Sequence, residues 1–152
     1  MYQRILVPLD GSETSLQGLD EAVRMALRDG ATLRLVHVLN KFRRTTGYAS
    51  TASFSDLLPG MKEAGEQLLR EARDRAERGG AKAETKLLSS LTGALSEMVA
   101  DEAADWHADL IVIGTHGRRG IERILWGSDA EQVLRVANVP VLLVQAPGGE
   151  EP

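Results

Sequence analysis

Runs of aliphatic residues alternate along the chain with stretches whose apolar positions recur every three or four residues. The runs at 5–9, 32–39, 83–88, 110–113 and 141–144 predict β-strands. The first, fourth and fifth are nearly continuous in Ile, Leu and Val, as expected of strands covered on both faces. Four amphipathic stretches separate them. In the first, Leu16, Leu19, Val23, Ala26 and Leu27 share a stripe that ends at Gly30, a residue suited to a helix C-terminus. The second carries Met61, Leu68, Leu69, Ala72 and Ala76 ahead of Gly79-Gly80, with Arg and Glu forming a solvated opposite face. Leu91, Leu95, Met98, Val99 and Trp106 define the third; Ala130, Val133, Leu134 and Ala137 define the fourth, which stops before Pro140.

Five strands joined through four helices imply right-handed βαβ crossovers, and hence a parallel sheet with helices on both faces. The expectation is a single-domain α/β fold over 1–146, doubly wound and Rossmann-like, with a flexible glycine-rich, acidic tail at 147–152. Periodicity does not order the strands. The order 3-2-1-4-5 would set the ends of strands one and four side by side at a switch point, so that Asp10 and Gly114 faced one cleft. Residues 40–56, rich in Ser and Thr and carrying Lys41, Arg43, Arg44 and Gly47, predict a mobile loop over that cleft.

Composition narrows the function. At 152 residues the chain suits one core-bearing domain, and a net charge of −4 with no basic run disfavours a nucleic-acid surface. The absence of cysteine excludes disulfides, thiolate metal sites and thiol catalysis. The first apolar run is too short for a signal peptide and no run is long enough to span a bilayer, so a soluble, cytoplasmic protein without a membrane partner is expected.

The candidate chemistry lies in Gly114-Thr115-His116-Gly117 and in Gly127-Ser128. These glycines begin where the fourth strand should end, the place at which nucleotides bind in open α/β sheets. Glycine lets backbone N–H groups approach an anion, and Arg118 and Arg119 add positive charge nearby. The segment lacks the Gly-Lys-Ser/Thr of a P-loop, and no G-x-G-x-x-G follows the first strand. It reads instead as G-x2-G-x9-G-S.

That spacing, with a strand before it and a helix after, resembles the ATP-binding members of the universal stress protein family. The likeness extends over nearly the whole chain. Ile5-Leu6-Val7-Pro8-Leu9-Asp10-Gly11-Ser12 is similar to the family's first strand and turn, and Leu35-Val36-His37-Val38 to its second strand. Ala108-Asp109-Leu110-Ile111-Val112-Ile113-Gly114 is similar to its fourth, and Pro140-Val141-Leu142-Leu143-Val144 to its last. The resemblance implies a five-stranded α/β sandwich, in agreement with the count of elements.

It also implies roles. Adenosine would lie beside Pro8, Leu9 and Asp10, with the Asp10 carboxylate accepting from ribose hydroxyls and Val38 meeting the adenine through its backbone. Gly114, Thr115, His116, Gly117, Arg118 and Arg119 would line the phosphate loop. Gly127 and Ser128 would complete it at the start of the last helix, whose dipole favours an anion. The implied ligand is ATP, with ADP, AMP or a cyclic nucleotide as alternatives and Mg2+ or Mn2+ as companion ion. The family likeness and the short aliphatic edge Val141, Leu142, Leu143 and Val144 both point to a homodimer through the last strand. Asp129 departs from the family, which commonly has a small or apolar residue there. In a first helical turn it would stabilise the helix; aimed at a terminal phosphate, it would repel it unless a divalent ion intervened.

Each of these residues has a plainer explanation as well. Gly114 and Gly117 could make a tight connection, Asp10 could form only a turn, and Ser12 reads as an N-cap. His37, alternating with Leu33 and Leu35, reads as a packed or hydrogen-bonded core histidine. His107 and His116 lack supporting carboxylate spacing for zinc, Trp126 reads as an apolar plug, and Arg118 and Arg119 as solvated charges. No nucleophile–base pair can be named. The favoured function is therefore a nucleotide-dependent stress-response regulator or sensor, with a weak ATPase or phosphotransferase and a nucleotide-free dimeric scaffold as alternatives.

Overall fold

A computed structural model of the chain describes residues 1–40, 54–90, 93–115 and 124–145. Its elements are β1 (Arg4–Pro8), α1 (Glu13–Asp29), β2 (Thr32–Asn40), α2 (Phe54–Arg78), β3 (Lys82–Ser90), α3 (Leu95–Trp106), β4 (Leu110–Thr115), α4 (Ile124–Val136) and β5 (Val141–Gln145). The strands form one parallel sheet in the order β3-β2-β1-β4-β5, the expected order that sets the ends of β1 and β4 side by side. Arg4 stands beside Thr32 on one side of β1, and Ile5 beside Leu110 on the other.

Successive strand residues point to opposite faces, and each face carries its own core. Ile5, Val7, Leu33, Leu35 and Val112 pack against α1 and α2 through Leu19, Val23, Leu69 and Ala76. Leu6, Val36, Ile111 and Ile113 pack against α3 and α4 through Val99, Ala103, Ala130 and Val133. Burial of these aliphatic side chains from both sides is what the near-continuous apolar runs encode, at roughly 1.5–3 kcal/mol for each fully buried large side chain.

Several boundaries differ from the periodic reading. Leu27 is 54% exposed, because the buried stripe of α1 runs through Leu19, Ala22, Val23 and Ala26 and stops short of it. The expected loop over 40–56 loses both ends, since β2 extends through Asn40 and α2 begins at Phe54, with Pro59 inside it; residues 41–53 lie outside the described residues. Leu91 and the expected tail at 147–152 also lie outside them. At the end of the sheet where β1 begins, Arg4 and Arg34 place their guanidinium carbons 5.6 and 4.8 Å from the Trp106 ring centroid. Arg34 and Lys86 neutralise the buried Glu102.

Candidate functional site

The chain leaves β1 for β2 on one side, while β4 lies on the other, so the connections after β1 and β4 diverge and open a crevice. The crevice is partly open to solvent and has a cavity volume of about 80 Å³. Pro8, Leu9 and Asp10 enter it from the end of β1, Val36, His37 and Val38 from β2, and Ile113 and Gly114 from β4. Asp129 and Ala130 of α4 complete it, together with Leu95 and two α1 residues, Thr14 and Ser15.

Local chemistry fixes the first corner. The Leu9 amide donates to the Val36 carbonyl at 2.8 Å, which carries the β1–β2 ladder past Pro8. Gly11 then turns the chain with φ of 86°, in the left-handed region that a side chain would resist. Asp10 accepts the Ser12 amide on Oδ1 at 2.9 Å, and Ser12 in turn caps α1 by accepting the Ser15 amide on Oγ at 3.1 Å. The turn-forming role of Asp10 is thus real, but it uses one carboxylate oxygen. The side chain is exposed, and Oδ2 remains available to an outside donor.

The second corner is governed by packing. A Cβ on Gly114 would sit 2.0 Å from the Thr14 carbonyl oxygen, and one on Gly18 would sit 3.0 Å from the Gly114 nitrogen. The first turns of α1 therefore rest backbone to backbone on the end of β4. Gly114 has to be glycine for the fold, by a contact with a distant helix that local sequence does not reveal.

The remaining expected site residues fall as follows. Val38, Pro8 and Leu9 line the crevice, and Thr115 ends β4 opposite Gln145. His116, Gly117, Arg118 and Arg119 lie outside the described residues. Gly127 and Ser128 fall inside α4 instead of opening it, because the helix starts at Ile124. Leu125 before Gly127 and Ala130, Glu131 and Gln132 after it are good helix formers, set against the roughly 1 kcal/mol that an internal glycine costs. Asp129 is consequently beyond the first turn, which has no acidic residue, and its expected role as a stabiliser of the helix N-terminus is overturned. It is half-buried in the cleft wall.

His37 is hydrogen-bonded, as its alternation suggested: Nδ1 lies 2.8 Å from the Leu9 carbonyl oxygen. Sequence reasoning missed that it also borders the cleft, and missed Thr14, Ser15, Val36, Leu95, Ile113 and Ala130. Those residues converge from five elements, and no spacing within one segment reports that. Half-buried Val38, backed by the buried Pro8, Val36 and Ile113, offers an apolar bed for a flat group. The Asp10 carboxylate at the rim offers an acceptor for hydroxyls, so the donor set fits a nucleoside.

A doubly wound parallel domain with such a crevice at its switch point belongs among the small-molecule-binding α/β folds. Within that class, the chain belongs to the universal stress protein family, whose pattern matches residues 1–145. A universal stress protein of Methanocaldococcus jannaschii is 34% identical over 150 residues, which are 99% of this chain and 86% of that one. A solved universal stress protein in complex with cAMP is 30% identical, with a TM-score of 0.71 over 95% of this chain and 97% of that one. The Archaeoglobus fulgidus universal stress protein in complex with dAMP is 26% identical, with a TM-score of 0.68 over 95% and 98%. No helix among the described residues is long and apolar enough to cross a membrane.

Proposed function

We propose that the crevice binds an adenine nucleotide, with ATP as the physiological ligand, and that binding favours one conformation or assembly over another. The protein then works as a nucleotide-dependent regulator or sensor in the stress response. The observation that carries this reading is the exposed Asp10 carboxylate, with one oxygen beyond its own turn, beside an apolar bed at the switch point. Relatives of matching length and fold are solved with cAMP and dAMP.

In this reading Asp10 accepts from the ribose hydroxyls, while Pro8, Leu9 and Val38 bound the adenine. Gly114 and Thr115 lead into the phosphate-binding segment, to which we assign His116, Gly117, Arg118 and Arg119, with Gly127 and Ser128 contributing from α4. Mg2+ or Mn2+ would offset the charge of a terminal phosphate near Asp129. A cytoplasmic location belongs to the same reading. Isothermal titration with ATP, ADP, AMP and cAMP, with and without Mg2+, tests it: saturable binding is expected, and flat titrations for all four nucleotides under both conditions would remove it.

The same proposal includes a homodimer through β5. The two sheet edges differ: β3 carries Lys82, Glu84 and Lys86, charges that discourage pairing, whereas β5 reads Val141-Leu142-Leu143-Val144, with Leu143 37% exposed. Sedimentation of Leu143→Lys should give a monomer. An unchanged dimer would make this interface wrong.

A further inference from the structure

The imidazole of His37 joins three elements at the adenosine end of the cleft. Its Nδ1 is 2.8 Å from the Leu9 carbonyl oxygen. A carbonyl can only accept, so the proton of this bond sits on Nδ1. The ring lies directly under α2: a Cβ on Gly65 would come within 2.9 Å of His37 Cδ2 and 3.0 Å of Leu87 Cδ1. Leu87 is also the β3 residue in register with His37. The helix therefore approaches the ring at backbone distance, and glycine at 65 is what permits it.

The consequence falls on the next residue. Register pairing between β1 and β2 ends at Pro8 and Val36. Beyond it, both backbone groups of Leu9 are still tied to β2, the amide through the Val36 carbonyl and the carbonyl through the His37 side chain. The Leu9 carbonyl belongs to the peptide group that carries the Asp10 amide. With that peptide plane held, the Asp10 carboxylate is placed by the Asp10 φ torsion and its own side-chain torsions, and the bond from the Ser12 amide restrains these.

We propose that His37 is a positioning residue for the ligand site. By donating from Nδ1 to the Leu9 carbonyl, it fixes the Leu9–Asp10 peptide and so presents the Asp10 carboxylate to the ribose hydroxyls of the nucleotide. This rests on the adenine-nucleotide reading above. It adds that the affinity of Asp10 for ribose depends on a side chain that acts through another residue, and that α2 reaches the site through Gly65.

AMP titrations of the full chain, with thermal unfolding alongside, test it. His37→Leu removes the donor at similar volume and should weaken AMP about tenfold, the loss expected for one displaced hydrogen-bonded acceptor. His37→Asn, whose amide reaches the place of Nδ1, should bind within about threefold of the wild type. His37→Gln, whose amide reaches past it, should not recover. If His37 works through Asp10, the His37→Leu/Asp10→Ala double variant should bind no more weakly than Asp10→Ala alone.

Wild-type affinity in His37→Leu, or losses that add in the double variant, would overturn the inference while leaving the nucleotide reading intact. A wild-type protein that binds no adenine nucleotide would overturn both. Should His37→Leu fail to fold, the comparison of Asn with Gln decides, and equal affinities would count against the inference. Imidazole 15N shifts provide a check that needs no ligand: protonation of the neutral ring at Nδ1 is expected, and protonation at Nε2 alone would contradict it.

Discussion

At Gly114 a methyl group would collide with the Thr14 carbonyl 2.0 Å away, whereas Asp10, on the other side of the same crevice, is exposed and uses one oxygen for its own turn. The two corners carry the two residues that a nucleotide-binding pattern weights most, yet they answer different demands. The fold would require glycine at 114 whether or not anything bound there. The turn at Asp10 needs only an acceptor, which Asn would supply as well and Ser more weakly. On the proposed reading the ribose contact comes from a side chain at the β1 corner, while the identity of residue 114 itself answers to how α1 is seated on β4.

Substitutions can separate these demands. The largest effect is expected for Gly114→Ala, where the new methyl meets backbone that cannot turn aside. A loss of about 3 kcal/mol or more is expected, at the top of the usual range for overpacking. In a domain of this size that corresponds to a fall in Tm of about 6–12 °C. A calorimetric Tm within a degree or two of the wild type would show that α1 is not seated on β4 as described.

Asp10→Asn should act in the opposite way, because the amide oxygen preserves the turn while the charge-assisted acceptor is lost. Tm should hold, and nucleotide affinity should fall about tenfold or more by titration. An Asn variant that bound as tightly as the wild type would move the ribose contact elsewhere. Gly18→Ala is a graded version of the first test. Its Cβ would sit 3.0 Å from the Gly114 nitrogen, and the clash opposes a helix-propensity gain of about 1 kcal/mol. The net expectation is a destabilisation of about 1 kcal/mol, and a stabilised variant would mean that the contact relaxes freely. The smallest effect is assigned to Asp129→Val, which should narrow the difference between ATP affinities measured with and without Mg2+. An unaltered difference would free Asp129 of any part in phosphate binding.

These contrasts also explain which features could be read from the chain alone. Strands β1 and β4 were legible because both faces of each are buried, so every residue from Ile5 to Val7 and from Leu110 to Val112 is apolar. Periodicity leaves the sheet order open; 3-2-1-4-5 is expected because it would bring Asp10 and Gly114 to one cleft, and the sheet has that order. What escaped were contacts between elements distant in sequence. Nothing near Gly114 announces Thr14, nothing near Gly65 announces the His37 ring, and the bond from His37 to the Leu9 carbonyl spans 28 residues. The start of α4 was misjudged for a local reason: Gly127-Ser128 looks like a helix opening, yet Ile124, Leu125 and Trp126 are already helical. That shift is what takes Asp129 out of the first turn and into the wall of the cleft.

The central claim is that an adenine nucleotide lies in the crevice with its ribose at Asp10. A crystal structure of the protein soaked in excess AMP tests it most directly. The account predicts adenine against Val38 and a ribose hydroxyl within hydrogen-bond distance of Asp10 Oδ2. A crevice filled by the protein's own side chains, or a nucleotide bound elsewhere with Asp10 still facing solvent, would contradict it.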